Sequence, residues 1–178
     1  VTTNPSIMVN DQVYDMGKGA KEIASLVSPL PVSVEVTTND LREMLGQAQE
    51  FAGWASNIVV KIPQITQGGT PCYGVMKALE SQGIKVNATI ALSLGQVILA
   101  AKAGSTYISI FAGRVGDEGG DVPQVIKNAV DWLECWKYKN KIIVGSIRSV
   151  ADILQAAIAG AHVITIPPIM EPKIEPSP

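Results

Sequence analysis

The 178-residue chain is 47% hydrophobic and 17% charged, with a formal net charge of -2, so it can bury one substantial core as a single domain over residues 1–178. This balance argues against broad nucleic-acid or membrane-surface binding, and no run approaches the roughly 18 consecutive apolar residues of a membrane span. Cys72 and Cys135 form no metal-ligand or CxxC spacing, and His162 is the only histidine. A zinc site or a Ser-His-Asp triad is therefore hard to build here, and a reduced cytoplasmic protein is the expectation.

Apolar strand-like runs recur with helical segments between them. Val1–Asn4 reads as a first strand, followed by a helix through Ala20-Lys21-Glu22-Ile23. Pro31–Val36 is the next strand, and Asn39-Asp40 offers an N-cap for a helix from Leu41 to Ala55. Asn57–Pro63 leads through a Gly-rich loop to a helix over Cys72–Ser81. Lys85–Ala91 and Thr106–Phe111 precede helices around Gln96–Lys102 and Pro123–Trp136. Lys141–Ile147, a helix over Val150–Ala159 and a strand at His162–Ile166 complete the series. Gly83, Gly104 and Gly160 fall just after helices, where a left-handed C′ residue is wanted. The alternation predicts an α/β fold with a parallel sheet, and its seven strand candidates are one short of a (β/α)8 barrel. The Pro5-Ser6-Ile7-Met8 turn offers no Gly-rich phosphate cradle, which argues against a dinucleotide-binding sheet.

The stretch Asn57-Ile58-Val59-Val60-Lys61-Ile62-Pro63 holds the sharpest anomaly. Its branched apolar residues mark a strand covered on both faces, yet it carries a lysine. Desolvating an ammonium is costly, and a buried lysine that sheds its proton becomes a nucleophile toward carbonyls. The plainer alternative is a strand-end lysine snorkelling to solvent.

The parity of polar residues supplies a context for Lys61. Successive strand residues face opposite sides. Thr2 with Asn4, Ser33 with Glu35, Asn87 with Thr89, Tyr107 with Ser109, and Ser146 with Arg148 each share a face. Inward polar groups near the C-terminal strand ends predict an active site at the top of a barrel, with a structural hydrogen-bond network as the alternative. Arg114, Ser146 and Arg148, at neighbouring strand ends, make an anion pocket suited to phosphate. Asp117–Asp121 reads as a solvated acidic loop that could pair with one arginine.

Together, Val1–Ser6, Val34–Val36, Val60–Pro63, Asn87–Thr89, Ile108–Arg114 and Ser146–Arg148 resemble the transaldolase family, in its short branch that also holds the fructose-6-phosphate aldolases. The resemblance implies a class I aldolase-type (β/α)8 barrel. It also implies a transaldolase of the pentose phosphate pathway, moving a dihydroxyacetone unit from sedoheptulose 7-phosphate or fructose 6-phosphate to an aldose phosphate. It matches Lys61 to the Schiff-base lysine, and Glu35 and Thr89 to the pair holding the catalytic water. Asn4, Asn87 and Ser109 match contacts to substrate hydroxyls, and Arg114, Ser146 and Arg148 match contacts to phosphate. Glu35 and Phe111 stand where the aldolase branch carries Gln and Tyr, which points to transfer rather than cleavage. No metal or organic cofactor is implied; sugar phosphates are the expected partners, and short family members form ring-shaped homo-oligomers.

Four departures accompany the resemblance. The family's opening strand, with an aspartate acting on a substrate hydroxyl, has no counterpart before Val1, and its last helix has none before the Pro-rich end at Pro178. The loop Gln64–Gly74 is longer than in the family, and Ile110 replaces a usual proline. A (β/α)8 barrel lacking its first βα unit and last helix is the resulting expectation. Fructose-6-phosphate-aldolase-like cleavage and a non-catalytic sugar-phosphate-binding barrel are the alternatives.

Overall fold

A computed structural model describes residues 1–170 of the chain. Six strands form one parallel sheet whose spatial order is the chain order. They are β1 (Val32–Glu35), β2 (Ile58–Pro63), β3 (Val86–Ala91), β4 (Tyr107–Phe111), β5 (Lys141–Gly145) and β6 (Val163–Ile164). Helices α1 (Pro5–Asn10) and α2 (Met16–Val27) precede β1. Helices α3 (Leu41–Ala52), α4 (Tyr73–Ser81) and α5 (Leu94–Lys102) each follow one of the next strands. Both α6 (Ala112–Asp117) and α7 (Val122–Cys135) follow β4, and α8 (Val150–Ile158) follows β5. The sheet is curled, an α/β half-barrel with six of the eight strands that a closed (β/α)8 barrel would have.

The even-numbered strand residues explain the layering. Val34, Val60, Ile62, Ala88, Ile108, Ile110, Ile142 and Val144 belong to one apolar cluster with Met44, Met76, Leu79, Ile126 and Leu133 from the helices. Burying a branched or long side chain of this kind stabilises by about 1.5–3 kcal/mol each, which is what holds the helices on that face. Local chemistry starts the helices. Asp40 accepts hydrogen bonds from the Arg42 and Glu43 amides, and Ser149 forms a capping box with Asp152. Gly83, Gly104 and Gly160 have φ of 78°, 91° and 89°, the left-handed geometry that ends a helix.

Four expectations need correction. Val1–Asn4 does not form a full strand: it makes only a parallel bridge between Thr2 and Ser33, because Pro5 opens α1 and Asn4 turns the chain as its N-cap. Helix α6 replaces the first part of the expected acidic loop, with Asp117 as its last residue and Asp121 capping α7. The strand expected over Lys141–Ile147 stops at Gly145, and Ser146 is left-handed, with φ 58°. Strand parity therefore does not extend to Arg148. The last strand spans only Val163–Ile164 of the expected His162–Ile166. The Pro-rich end lies outside the described residues.

His162 joins β5 from the edge: its Nδ1 accepts a hydrogen bond from the Ile142 amide at 3.1 Å, which requires the neutral ring. Desolvation first, and then the Lys141 charge, lower its pKa, with Glu134 opposing. The unfolded chain therefore binds this proton more readily than the fold. The contribution is present above the ordinary histidine value of about 6.5 and is lost as pH falls from there through the depressed folded value. His162→Gln, which keeps an acceptor but cannot titrate, should flatten the change in urea midpoint between about pH 7.5 and pH 5.5. A slope as steep as wild type would refute the assignment.

Candidate active site

Parallel pairing brings the odd-numbered face together. Glu35 is in register with Lys61, Lys61 with Asn87, and Asn87 with Tyr107, so four strands present side chains at one level. Val59 and Ile143 on this face are buried yet stand apart from the apolar cluster of the helix side. The face is otherwise polar: Ser33, Lys61, Asn87, Thr89 and Ser109 are all buried.

Each of these groups except Thr89 has a partner. Lys61 Nζ lies 2.9 Å from Glu35 Oε2, with side-chain exposures of 7% and 18%. The lysine is enclosed, while its carboxylate keeps a route to solvent. Phe111 closes one side, its ring centroid 5.7 Å from Lys61 Nζ and 5.4 Å from the Arg114 guanidinium carbon. Beside this pair, Ser109 Oγ donates to Asn87 Oδ1 at 2.7 Å, and Asn87 Nδ2 donates to Ser33 Oγ at 3.2 Å. This row of hydrogen bonds reaches from β4 through β3 to β1.

The strand carrying Thr89 is irregular. Ala88 and Ala91 both join the helix-side cluster although they are three residues apart, because β3 shifts register against β4 between them. Ile90 takes up the extra residue with φ 63°, a left-handed conformation that costs a β-branched side chain about 1–3 kcal/mol. Thr89 Oγ1, in the same kink, is buried without a hydrogen-bond partner. Gln64 Nε2, just past the end of β2, is likewise unpartnered, although Gln64 Oε1 accepts from the Tyr73 hydroxyl at 3.0 Å. Unsatisfied buried polar atoms are rare in stable folds, and the Thr89 hydroxyl, on the same strand face as Asn87, is open to a water or a polar ligand. Cys72 nearby is a buried thiol whose pKa is raised by desolvation, unsuited to act as a thiolate.

The strand-end residues divide differently. Ser146 and Arg148 sit against Gly113, where a Cβ would lie 2.7 Å from Ser146 Oγ and 2.6 Å from Arg148 Nε. The Arg148 guanidinium forms a two-pronged ion pair with Asp117, one contact being 2.6 Å. Those hydrogen bonds hold the Asp117 carboxyl below the usual carboxylate range. Arg114 lies over Phe111 on the other side. Asn4 is not gathered into this group through a side-chain bond; its Oδ1 caps α1 by accepting from the Ile7 amide at 2.8 Å. The residues that sequence reasoning missed are Gly113 and Ile90, whose importance lies in backbone geometry. Asp117 was foreseeable only as a possible partner of an arginine.

The set brings together an enclosed amine, a carboxylate with a route to solvent, a row of neutral hydrogen-bonding side chains, and two guanidinium groups near the strand ends. The family profile described as Transaldolase/Fructose-6-phosphate aldolase matches residues 1–173. A probable transaldolase of Lactiplantibacillus plantarum is 44% identical over 94% of this chain and 74% of its own length. Probable transaldolase 2 of Listeria monocytogenes is 41% identical over 98% of this chain and 77% of its own. Among solved structures, mandelate oxidase superposes with a TM-score of 0.62 at 15% identity, covering 83% of this chain. This chain spans 51% of that protein's length, and the likeness is one of fold alone.

Proposed function

The chain belongs to the transaldolase/fructose-6-phosphate aldolase family, and we propose that it transfers a dihydroxyacetone unit between sugar phosphates through a Schiff base on Lys61. The observation that carries this reading is the enclosed Lys61 amine, 2.9 Å from a carboxylate that itself reaches solvent. In the proposed reaction the ion pair gives up its proton through Glu35, and the neutral amine attacks the ketone carbon of a ketose phosphate. Loss of water leaves an iminium; as the hydroxyl on the β carbon gives up its proton, the bond between the α and β carbons breaks, an aldose phosphate leaves, and the electron pair remains as an enamine. The enamine carbon then attacks the acceptor aldehyde, and water hydrolyses the new iminium to release the product and free Lys61. Thr89, with its unpartnered hydroxyl, and Glu35 hold the water that carries protons in and out. Asn87 and Ser109 orient the sugar hydroxyls, and the arginine-bearing rim receives the phosphate.

Borohydride reduction tests the central step. With a ketose phosphate present, Lys61 should gain an irreversible adduct of the dihydroxyacetone unit, read by mass spectrometry of the Val59–Lys61 region. A folded chain that acquires no adduct there would sink the proposal. Measuring product with and without an acceptor aldose phosphate then separates transfer from simple cleavage.

A further inference from the structure

Helix α6 has only six residues, yet two of them, Gly113 and Asp117, are one turn apart and share a face. Arg148 docks against that face from the loop after β5. Its Nε lies 2.6 Å from where a Gly113 Cβ would stand, and its two terminal nitrogens both contact the Asp117 carboxylate. Ser146 is held to the same glycine: the Gly113 amide donates to Ser146 O at 3.1 Å, and Ser146 Oγ crowds the missing Cβ. The left-handed backbone at Ser146 turns the loop onto the helix in this way. At its base, the Arg148 amide donates to Asp152 Oδ2 at 2.9 Å, so α8 fixes the main chain while α6 fixes the side chain. Arg114 stands next to Gly113 on α6, facing Phe111.

The geometry points to α6 as a slot that presets the anion-recognising end of the site, with Gly113 and Asp117 as the positioning residues for Arg148 and Ser146. This inference rests on the proposed phosphate end of the site and adds to it a specific assembly. Without the slot, Arg148 is a long side chain on a loop, free to sample many rotamers before an anion arrives. With it, the guanidinium plane is already held by Asp117 on one helix face. An exposed ion pair alone contributes little. The glycine contact is independent of charge: it depends on a backbone surface bare enough for a guanidinium and a hydroxyl to approach together.

For Asp117, a positioning role and a simple electrostatic account predict opposite results, which gives a sharp test. Asp117 places a negative charge beside a site meant for an anion, so a mere neighbour would weaken phosphate binding, and its removal would tighten it. A positioning residue does the reverse. Calorimetric titration of the full chain with inorganic phosphate reads this without any catalytic step. Gly113→Ala should weaken phosphate binding about tenfold, by pushing Arg148 and Ser146 off the helix. Asp117→Asn, exposed and nearly isosteric, should weaken it by about three- to fivefold, despite making the pocket more positive. In turnover, the loss should fall on KM for the phosphorylated substrate rather than on kcat. Wild-type phosphate affinity in Gly113→Ala, tighter binding in Asp117→Asn, or no binding by wild type would each overturn the slot. If Gly113→Ala melts, Asp117→Asn still decides. A chain that binds phosphate as described but is not trapped at Lys61 would refute the Schiff-base reading and leave the slot standing.

Discussion

Lys61→Met should lower kcat for transfer by about 10,000-fold, the scale on which loss of a covalent nucleophile is felt. Methionine fills much of the same volume, so the substitution removes the amine without opening a large cavity. It does leave Glu35 without its partner, and the carboxylate, 18% exposed, must then find water. Breaking one half of an enclosed ion pair is destabilising, whereas replacing both halves by apolar residues is often neutral or stabilising by about 1–4 kcal/mol. The double variant Glu35→Leu/Lys61→Met should therefore be at least as stable to urea as wild type, and as inactive as the single variant. Retention of more than about one hundredth of wild-type turnover by Lys61→Met would remove Lys61 from the chemistry.

Asn87→Ala carries the second large effect, this time on stability. The Asn87 side chain is fully buried, giving one hydrogen bond to Ser33 and receiving one from Ser109. Alanine leaves two buried hydroxyls facing an empty space, a loss of about 2–4 kcal/mol in urea unfolding. Ser33→Ala/Asn87→Leu/Ser109→Ala removes every member of the row at once and should recover most of that loss, because no polar atom is then stranded. The triple variant should also lose the ability to orient a sugar, seen as a fall in kcat/KM. If it is no more stable than Asn87→Ala, the row is an element of the fold and not a feature retained for the site.

The two outcomes bear on what could be read from the residues alone. Period-two alternation made Ser33, Glu35, Lys61, Asn87, Thr89 and Ser109 legible as one face, because parallel pairing in a regular strand has no freedom to turn a side chain over. The same rule misled beyond Gly145. Ser146 is left-handed, so Arg148 comes to its place through a loop and a helix face rather than through a strand. Parity also hid the kink at Ile90: nothing about isoleucine announces a positive φ, and the conformation is imposed by the register shift against β4. Asn4 illustrates a different limit. An asparagine before a proline is a strong helix cap, and that local role claims its side-chain oxygen in the structure. Helix α6 was missed because six residues containing two glycines have low intrinsic helix propensity, and tertiary contacts, those with β5 and α7 among them, sustain it.

Chain order and spatial order coincide across the whole sheet, and each of its pairings joins a strand to the next one in sequence. Nothing made early must wait for a distant segment to arrive, so the ordering cost of each new strand is that of closing one short crossover. During synthesis on a ribosome, each strand from β2 to β6 meets an edge already formed by the strand before it. Lys61 would reach its partners in the same sequence: Glu35 is waiting on β1 when β2 docks, and Asn87 arrives with β3. The pairing that encloses the amine is thus available from the first two strands onward, well before the arginines that complete the rim exist as structure.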